Sequence, residues 1–381
     1  MVTWRKVLDG EQVGDPIEVQ RLPGGQRVYR HGRSLVVLPK EDSAVLSSAY
    51  YHGGVFDRPS AVFNTTGIGG EAEMDLMHGP RENYLEYCSR CAEKIGLDPA
   101  TVVGLGTAVT MDKAAVVSET FGNLSVSAVV TAGVEGNGGR VGDPASYDET
   151  EKYHRPSGTI VIILVVDADL PVQTMARCIM TATEAKTAAL QELMASSRYS
   201  EGIATGSGTD QIAVVCDRGS ELRLTDAGKH SKLGELIGRC VLAAVKRALG
   251  NWAGMTPESR MDALIRLDRF RIPPDFYIDA ADASGRDGFA ESLAETARRP
   301  EVVAAAAAAI HLHDEMAWGI CDRRSGTELA RRTIASVCPG FEPDMDEGIP
   351  RALARAVSRL ALRSLDRADP WRNIPSPNPD L

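Results

Sequence analysis

The sequence predicts an α/β fold with a mixed β-sheet core, packing helices and an α-helical C-terminal extension. The central observation is residues 159–167, a continuous run of β-branched and leucine side chains closed by an aspartate, which is typical of a strand buried on both faces. Residues 172–194 then repeat apolar side chains at three- and four-residue spacing, as a helix packed on that strand would. Beyond Trp252 the sequence becomes helix-like, with one strongly alanine-rich segment.

Shorter segments around the central strand complete the predicted sheet. They are rich in apolar and β-branched residues and are separated by glycine, proline and other turn-forming residues. A further helix is predicted over residues 82–95, because Gly96 directly after it is a typical helix end. The predicted strands are residues 2–7, 26–29, 34–39, 44–51, 102–109, 114–119, 125–130 and 212–216.

The length of the chain, 381 residues, allows two domains or one large domain with an extension. We predict an α/β domain over residues 1–252, an α-helical extension over 253–368, and a disordered, proline-rich tail over 369–381. The helices predicted for the extension are residues 257–270, 288–298, 301–318, 326–337 and 350–368.

Composition narrows the classes of partner and compartment. The formal net charge of −10 argues against a nucleic-acid partner, since phosphate binding needs clustered lysines and arginines. The longest apolar runs are too short to span a membrane, and the first residues lack the apolar core of a signal peptide. Seven cysteines, an odd number scattered along the chain, do not form a secreted disulfide framework. We therefore expect a cytoplasmic protein with reduced cysteines, and a homo-oligomer stays open.

A glycine-rich loop follows the predicted helix at residues 202–210. Three glycines within seven residues, Gly206 among them, allow tight turns and a close approach of the backbone to a ligand. Hydroxyls and a carboxylate stand beside them and offer hydrogen bonds to a substrate. The side chains that we predict to bind or act on substrate here belong to Thr205, Ser207, Thr209 and Asp210.

Two earlier glycine-rich loops have the same character. The first contains Asn64 and Thr65, which offer polar contacts to a substrate, although a structural turn explains them equally well. The second, residues 131–140, directly follows a predicted strand and contains Thr131 and Asn137. Because strand ends commonly carry binding sites, we predict that these four side chains contact substrate.

The helix predicted over residues 172–194 carries polar residues on an otherwise small and apolar surface. Thr183 and Thr187 lie four residues apart and therefore on one face. Glu184 and Lys186 each need solvent or a partner, so a solvated face and a role in the site are equally open. We predict that Thr183, Lys186 and Thr187 contact substrate and that Glu184 takes part in catalysis.

His230 is the strongest candidate for a general acid or base. It lies between two lysines in a polar loop that leads into a helix, predicted over residues 233–249. The positive charges and the helix dipole would favour the neutral imidazole, which suits a general base. A histidine that only hydrogen-bonds the loop is an equally open alternative. Glu184 and Asp210 complete the predicted catalytic set, and Glu235 is a candidate substrate contact.

Motifs for metal binding and for an activated nucleophile are weak. Cys88 and Cys91 form a Cys-x-x-Cys pair, but no second pair follows at zinc spacing, so two half-buried thiols are favoured. His311 and His313 lie two residues apart and point to different faces of a helix. We predict no metal site and no resident cofactor. Glycines flank Ser207 directly, which is not the Gly-x-Ser-x-Gly elbow, and a serine or threonine nucleophile stays open.

Several blocks within residues 34–250 share their order and residue types with one known family. They are Leu46-Ser47-Ser48-Ala49 with Gly53-Gly54, and residues 103–108, 130–134, 159–167, 181–190, 204–210 and 227–238. Together they closely resemble the adenosylcobinamide amidohydrolase family. The resemblance implies hydrolysis of the amide that joins the aminopropanol arm to the corrin ring of adenosylcobinamide, a step in corrinoid salvage. The products would be adenosylcobyric acid and aminopropanol, and cobalt would arrive only as part of the substrate.

Three features depart from the family pattern. Tyr50-Tyr51-His52 precede two glycines where an asparagine is expected, Ser207 replaces a more usual threonine, and the extension after residue 252 lies outside the family core. These departures bear on the choice of substrate. Two alternatives therefore stay open: an amidase of the same scaffold that acts on another large amide, such as a metal chelator, or a non-catalytic corrinoid-binding protein.

Overall fold

The structure, a computed structural model, describes residues 13–67, 81–145 and 158–368. The chain divides into two compact units, Met1–Thr256 and Pro257–Leu381, whereas the sequence placed this boundary after residue 252. The predicted strand at residues 2–7 and the predicted tail at 369–381 lie outside the described residues.

Two β-sheets form the core of the first unit. One sheet consists of β1 (Ile17–Arg21), β2 (Arg27–His31), β3 (Ser34–Leu38), β6 (Ala61–Thr66) and β7 (Val102–Thr107), in the order β1-β2-β3-β6-β7. The other consists of β4 (Ser43–Ser47), β5 (Gly54–Asp57), β8 (Ala115–Phe121), β9 (Leu124–Gly133), β11 (Thr159–Val166) and β13 (Gln211–Asp217), in the order β5-β4-β13-β11-β9-β8. A short ribbon pairs β10 (Gly138–Gly139) with β12 (Gly206–Ser207).

The predicted central strand is confirmed. Strand β11 is buried along its whole length and pairs with β13 in parallel and with β9 in antiparallel orientation, so the sheet is mixed. Its side chains alternate between two cores, because successive residues of a strand point to opposite faces. Ile162 packs towards the helices, and Val161 and Ile163 pack towards the other sheet.

Helices cover the outer faces of both sheets. Helix α1 (Arg81–Lys94) packs on the first sheet through an apolar cluster that contains Phe63 and Tyr87. Helices α2 (Val172–Glu192) and α3 (Lys232–Ala253) cover the second sheet. Ser231 caps α3 by accepting a hydrogen bond from the Gly234 N–H at 3.0 Å. The first unit is therefore a sandwich of two sheets between helices, and the predicted α/β class is confirmed.

The Cys-x-x-Cys pair in α1 is more buried than the sequence suggested. Cys88 is fully buried and Cys91 nearly so, where the spacing predicted half-buried thiols. Burial raises the pKa of the Cys88 thiol far above its ordinary value, and the neighbouring Cys91 raises it further. The thiolate, the form that binds metals, is therefore disfavoured. Among the described residues, no group of three or more His, Cys, Asp or Glu side chains is arranged to hold a metal ion.

One departure from the family pattern has a backbone explanation. His52 adopts the left-handed conformation with φ of 53°, a region in which asparagine and histidine are both enriched. Its Nδ1 lies 2.8 Å from the Val102 carbonyl oxygen. No side chain fits at the following Gly53, because a Cβ there would overlap the Ala49 carbonyl oxygen. Histidine, like asparagine, tolerates the left-handed backbone conformation at position 52. The replacement is therefore explained by the backbone and is not evidence for a different substrate.

The described part of the second unit is helical. Its helices pack around a core of alanine, valine, leucine and isoleucine side chains. The helix predicted over residues 257–270 is instead interrupted, because Asp262 caps a new helix by accepting hydrogen bonds from the N–H groups of Leu264 and Ile265. Across the described residues, no helix is both long and apolar enough to cross a bilayer. The helices are α4 (Ala263–Leu267), α5 (Pro274–Ala281), α6 (Phe289–Ala297), α7 (Pro300–Trp318), α8 (Arg323–Val337) and α9 (Ile349–Ala368).

Candidate functional site

A cleft of about 570 Å³ lies beside the β10–β12 ribbon, near the end of the second sheet where β11 and β13 begin. We call it the ribbon cleft. Its volume falls within the range of small-molecule sites, about 300–1,000 Å³. Seven of the residues predicted to contact substrate line it: Asn137, Thr183, Lys186, Thr187, Thr205, Gly206 and Ser207.

Asp210 lies beneath the floor of the ribbon cleft and binds Lys186 and Ser207, which line it. Its carboxylate accepts four hydrogen bonds, from the Ile160 N–H, the Ser207 N–H, the Ser207 hydroxyl and the Lys186 ammonium. The Ser207 hydroxyl donates at 2.6 Å, and both backbone donors lie at 3.0 Å. Four donors fill the acceptor positions of a carboxylate, so the orientation of the Asp210 side chain is fixed.

Lys186 reaches this carboxylate from α2. Thr183, Lys186 and Thr187 follow the three- and four-residue spacing of one helix face, which explains why all three line the cleft. The Lys186 and Asp210 side chains are 8% and 12% exposed, so the ion pair is buried. Gly206 must lack a side chain, because a Cβ there would overlap both the Asp210 carboxylate and the Lys186 ammonium.

Asn137 and Thr209 hold the loops around the cleft together. Asn137 Nδ2 donates to the Gly158 carbonyl at 3.1 Å, and Asn137 Oδ1 accepts from the Tyr199 hydroxyl at 3.0 Å. Thr209 Oγ1 donates to the same Gly158 carbonyl at 2.8 Å. Both side chains were predicted to contact substrate, and here their polar atoms bind the protein itself.

Thr205 and Thr187 join α2 to the ribbon. The Thr187 hydroxyl donates to the Thr205 carbonyl at 3.1 Å, and Thr205 Oγ1 accepts from the Val141 N–H at 2.9 Å. The Thr183 hydroxyl donates to the Ile179 carbonyl one turn back along α2. The Ser207 hydroxyl and the Lys186 ammonium are thus the predicted polar groups closest to the carboxylate at the cleft floor.

Sequence reasoning missed the three other cleft-lining residues with charged or aromatic side chains: Arg140, Asp143 and Tyr199. Asp143 Oδ2 accepts from the Arg140 N–H at 2.8 Å and from the Ser197 hydroxyl at 2.6 Å. Burial raises the pKa of Asp143, but these hydrogen bonds and the charge of Arg140 outweigh it and lower the pKa overall. An arginine directly after a glycine pair was the available signal, since backbone without side chains leaves room for a ligand beside it.

A second groove of about 560 Å³ lies between α2 and α3. We call it the helix groove. Glu184 and Glu235 line this groove and not the ribbon cleft. Glu184 pairs with Lys229 at 2.6 Å, and Glu235 pairs with Lys232, which lowers the pKa of the Glu235 carboxyl. Glu184 and Lys186 lie on different sides of α2, because residues two apart on a helix do not share a face.

The predicted catalytic set is therefore not brought together. His230 is exposed in the turn before α3 and lines neither the ribbon cleft nor the helix groove. Asp210 lies beneath the ribbon cleft, where it binds Ser207 and Lys186, and Glu184 lines the helix groove. The sequence placed Asp210 where a loop meets a strand, His230 before a helix and Glu184 within a helix. It could not show on which side of α2 each of them lies.

Asn64, Thr65 and Thr131 lie inside the sandwich. All three are nearly fully buried. Asn64 Nδ2 donates to Thr131 Oγ1 at 2.9 Å and so links the first sheet to the second. Thr65 Oγ1 lies 3.3 Å from the Tyr87 hydroxyl of α1. Asn64 and Thr65 lie in strand β6 and Thr131 lies in β9, so neither the predicted loops nor the structural turn describes them, and their substrate role remains a prediction.

The chemistry available at the ribbon cleft is that of a hydroxyl oriented by a carboxylate beside a lysine. Asp210 can accept the Ser207 proton along a hydrogen bond that already exists, without giving up another donor. The Lys186 charge is balanced by Asp210 in the resting state. If the carboxylate takes up a proton, that positive charge becomes available to a developing oxyanion.

Comparisons with known proteins identify one family. The family model described as adenosylcobinamide amidohydrolase matches residues 19–257. A Methanocaldococcus jannaschii protein named "Uncharacterized protein MJ1613" is 38% identical over 203 residues, which cover 50% of this chain and 73% of that protein.

Two solved structures give weaker matches. The PH0078 protein of Pyrococcus horikoshii has a TM-score of 0.31 and 16% identity, over 62% of this chain and 83% of that one. A Burkholderia sp. beta-aminopeptidase has a TM-score of 0.29 and 13% identity, over 63% and 84%. Neither likeness is close enough to support a conclusion about activity.

Proposed function

This chain belongs to the adenosylcobinamide amidohydrolase family, and we propose from that membership that it hydrolyses the amide between the corrin ring and the aminopropanol arm of adenosylcobinamide. Water is consumed, the C–N bond breaks, and adenosylcobyric acid and aminopropanol are released. Cobalt enters only as part of the substrate. No resident metal or cofactor takes part in the proposal.

One observation carries the choice of site: Lys186, Asp210 and Ser207 form a connected, largely buried unit at the floor of the ribbon cleft. Amide hydrolysis needs an oxygen nucleophile, a proton acceptor and positive charge near the oxyanion. This unit offers one group for each need.

The proposed sequence of events starts at Ser207. Its oxygen bonds to the amide carbon while its proton moves to Asp210, and the freed charge of Lys186 balances the oxyanion. Asp210 then returns the proton to the nitrogen of the leaving amine, and an ester forms at Ser207. Water cleaves this ester in the same way, which restores the serine and releases the acid.

The size of the cleft supports binding of the arm and not of the whole substrate. A volume of about 570 Å³ suits a drug-sized ligand. A corrin with its axial adenosyl group is larger than that. The arm and its amide therefore enter the ribbon cleft, and the ring rests at the mouth.

The test is incubation of the purified protein with adenosylcobinamide, followed by mass spectrometry of both products and of the protein. We expect adenosylcobyric acid and aminopropanol from the wild type. Ser207→Ala lowers kcat/KM by about a hundredfold or more, the scale of a lost catalytic group. Ser336→Ala, at an exposed serine in α8, is the matched control and leaves kcat/KM unchanged.

Three outcomes separate the proposal from the alternatives. Turnover of another large amide, with none of adenosylcobinamide, overturns the substrate. Tight binding of adenosylcobinamide without any product favours a corrinoid-binding protein. Full activity of Ser207→Ala, together with loss of activity in Glu184→Gln, would show that the reaction takes place in the helix groove and not in the ribbon cleft.

A further inference from the structure

The ribbon cleft contains a second cationic side chain, Arg140, which unlike Lys186 has no carboxylate bound to it among the described residues. Lys186 is committed to Asp210. The guanidinium of Arg140 makes no hydrogen bond or ion pair with any of the described residues, although Arg140 lines the cleft. An arginine offers five N–H donors in a planar fork that matches a carboxylate. A guanidinium that lines a cleft and is paired by none of the described residues therefore points to an anionic ligand.

The backbone around Arg140 fixes where that cation stands. Arg140 directly follows Gly139, which pairs with Gly206 in the ribbon, and the next residue donates its N–H to Thr205 Oγ1 at 2.9 Å. The residue thus sits beside the strand that carries Ser207. Its backbone N–H is bound by Asp143, so the turn is held while the side chain stays available.

The stem of Arg140 is also held in place. A Cβ at Gly202 would lie 2.7 Å from Arg140 Cδ, closer than side-chain carbons approach. Gly202 does not have a positive φ, so its backbone does not require glycine. The absence of a side chain there is explained by the arginine stem that lies against it.

Asp143 does not neutralise this cation. Its Oδ2 accepts hydrogen bonds from the Ser197 hydroxyl and from the Arg140 backbone. No ion pair within 4.0 Å joins it to the Arg140 guanidinium, so the two charges interact only at longer range.

We propose that Arg140 is the carboxylate receptor of the ribbon cleft and binds the acid group that amide hydrolysis creates. The inference rests on the proposed function. The substrate presents a neutral amide, and the acid product presents a carboxylate at the same carbon. A charge-assisted, two-pronged contact is stronger than a neutral hydrogen bond, so Arg140 favours the acid over the corresponding amide by about tenfold.

The experiment compares two ligands by calorimetry at low ionic strength: adenosylcobyric acid and its primary amide, which differ at one group. Wild type is expected to bind the acid about tenfold more tightly. Arg140→Met binds both equally, and Arg140→Lys, which keeps the charge but loses the fork, falls between. Gly202→Ala keeps the charge but displaces its stem, and it lowers the preference as well.

The control is Arg223→Met, which removes an exposed arginine of the same unit that pairs with Asp169 at 3.6 Å, just beyond the opposite end of β11. It keeps the full preference for the acid. Equal binding of acid and amide by the wild type, or an unchanged preference in both Arg140→Met and Gly202→Ala, overturns the proposal that Arg140 binds the carboxylate. The proposed function is not affected by either result. Binding of neither ligand overturns the proposed function, and the receptor with it.

Discussion

Replacing Asp210 by asparagine changes one atom of the most densely bonded side chain in the ribbon cleft. Oδ1 of the carboxylate accepts hydrogen bonds from the Ile160 N–H and the Ser207 hydroxyl. Oδ2 accepts them from the Lys186 ammonium and the Ser207 N–H. Asparagine retains one acceptor oxygen, which can keep the first two donors. Its amide nitrogen then faces the other two, and a donor cannot accept from donors.

The expected destabilisation follows from these stranded groups. Removing one partner of a buried ion pair costs about 3–5 kcal/mol, and a buried donor without an acceptor costs about 1–3 kcal/mol. The two terms overlap, because the ammonium of Lys186 belongs to both. Both side chains are nearly buried, at 8% and 12% exposure, so little solvent screening reduces the effect. We expect a loss of about 4 kcal/mol from the free energy of unfolding of the first unit.

Amide hydrogen exchange of β11 is the suitable assay. The chain has two compact units, so a single denaturation midpoint would not report on the first unit alone. The Ile160 N–H is itself a donor to Asp210, and the rest of β11 is buried. Mass spectrometry of peptides that cover this strand gives the opening free energy directly.

Two further variants make the result decisive. Lys186→Met removes the stranded ammonium, so Asp210→Asn costs about 2 kcal/mol less in that background. Glu192→Gln, at an exposed carboxylate of the same helix, changes stability by less than about 0.5 kcal/mol. A loss under about 1 kcal/mol for Asp210→Asn, with additive effects in the double variant, would refute the reasoning.

Three other predictions concern the first unit. Lys40→Met leaves Asp167 and Asp217 facing each other without the ammonium that lies 2.5 and 2.8 Å from them, and lowers the free energy of unfolding by about 2 kcal/mol at pH 7, because Lys40 is partly exposed. Burial lowers the pKa of Lys40, but both carboxylates outweigh it and raise the pKa above its ordinary value. Urea unfolding followed by a probe placed within the first unit should therefore show this stabilisation intact below about pH 10.4 and lost at higher pH. His52→Asn should keep the opening free energy that hydrogen exchange gives for the first unit of the wild type, whereas His52→Val, β-branched at φ of 53°, should lower it by about 1–3 kcal/mol. Equal opening free energies for both variants would contradict the backbone explanation. Burial raises the pKa of Cys88, so a thiol reagent at pH 8 should leave Cys88 unmodified in peptide maps until the protein is denatured, and rapid native labelling would disprove its burial.

The elements that the sequence predicts well are those with a strong local pattern. The buried strand around residues 159–167 and the helix after it differ from the structure only at their ends. The loop at residues 202–210 and one face of the helix do meet at a cleft, because the spacing of Thr183, Lys186 and Thr187 is a local property. The helix predicted over residues 257–270 is wrong because of a single side chain. Asp262 caps a new helix there and so interrupts a segment whose residues favour one continuous helix.

The parts that could not be predicted depend on contacts between distant segments. Nothing local tells that Asn64 will meet Thr131 across two sheets, or that Glu184 will face α3 while Lys186 faces the ribbon. Sequence reasoning ranked His230 first and added Glu184 and Asp210 to the catalytic set, because each lies in a suitable local setting. Only the packing of α2 between the ribbon and α3 separates them.

The pairing of β11 has a consequence for how the protein acquires its cleft during folding. This strand joins β9, about 30 residues earlier in the chain, and β13, about 50 residues later, and the second pairing is parallel. Contacts between distant segments form slowly, because loops must close before any attraction is gained. A nascent chain that has not yet emerged past residue 217 lacks β13 and leaves one edge of β11 open. The serine and lysine at the cleft floor therefore assemble only after the last strand arrives, and fragments of this unit should be inert and prone to associate through that edge.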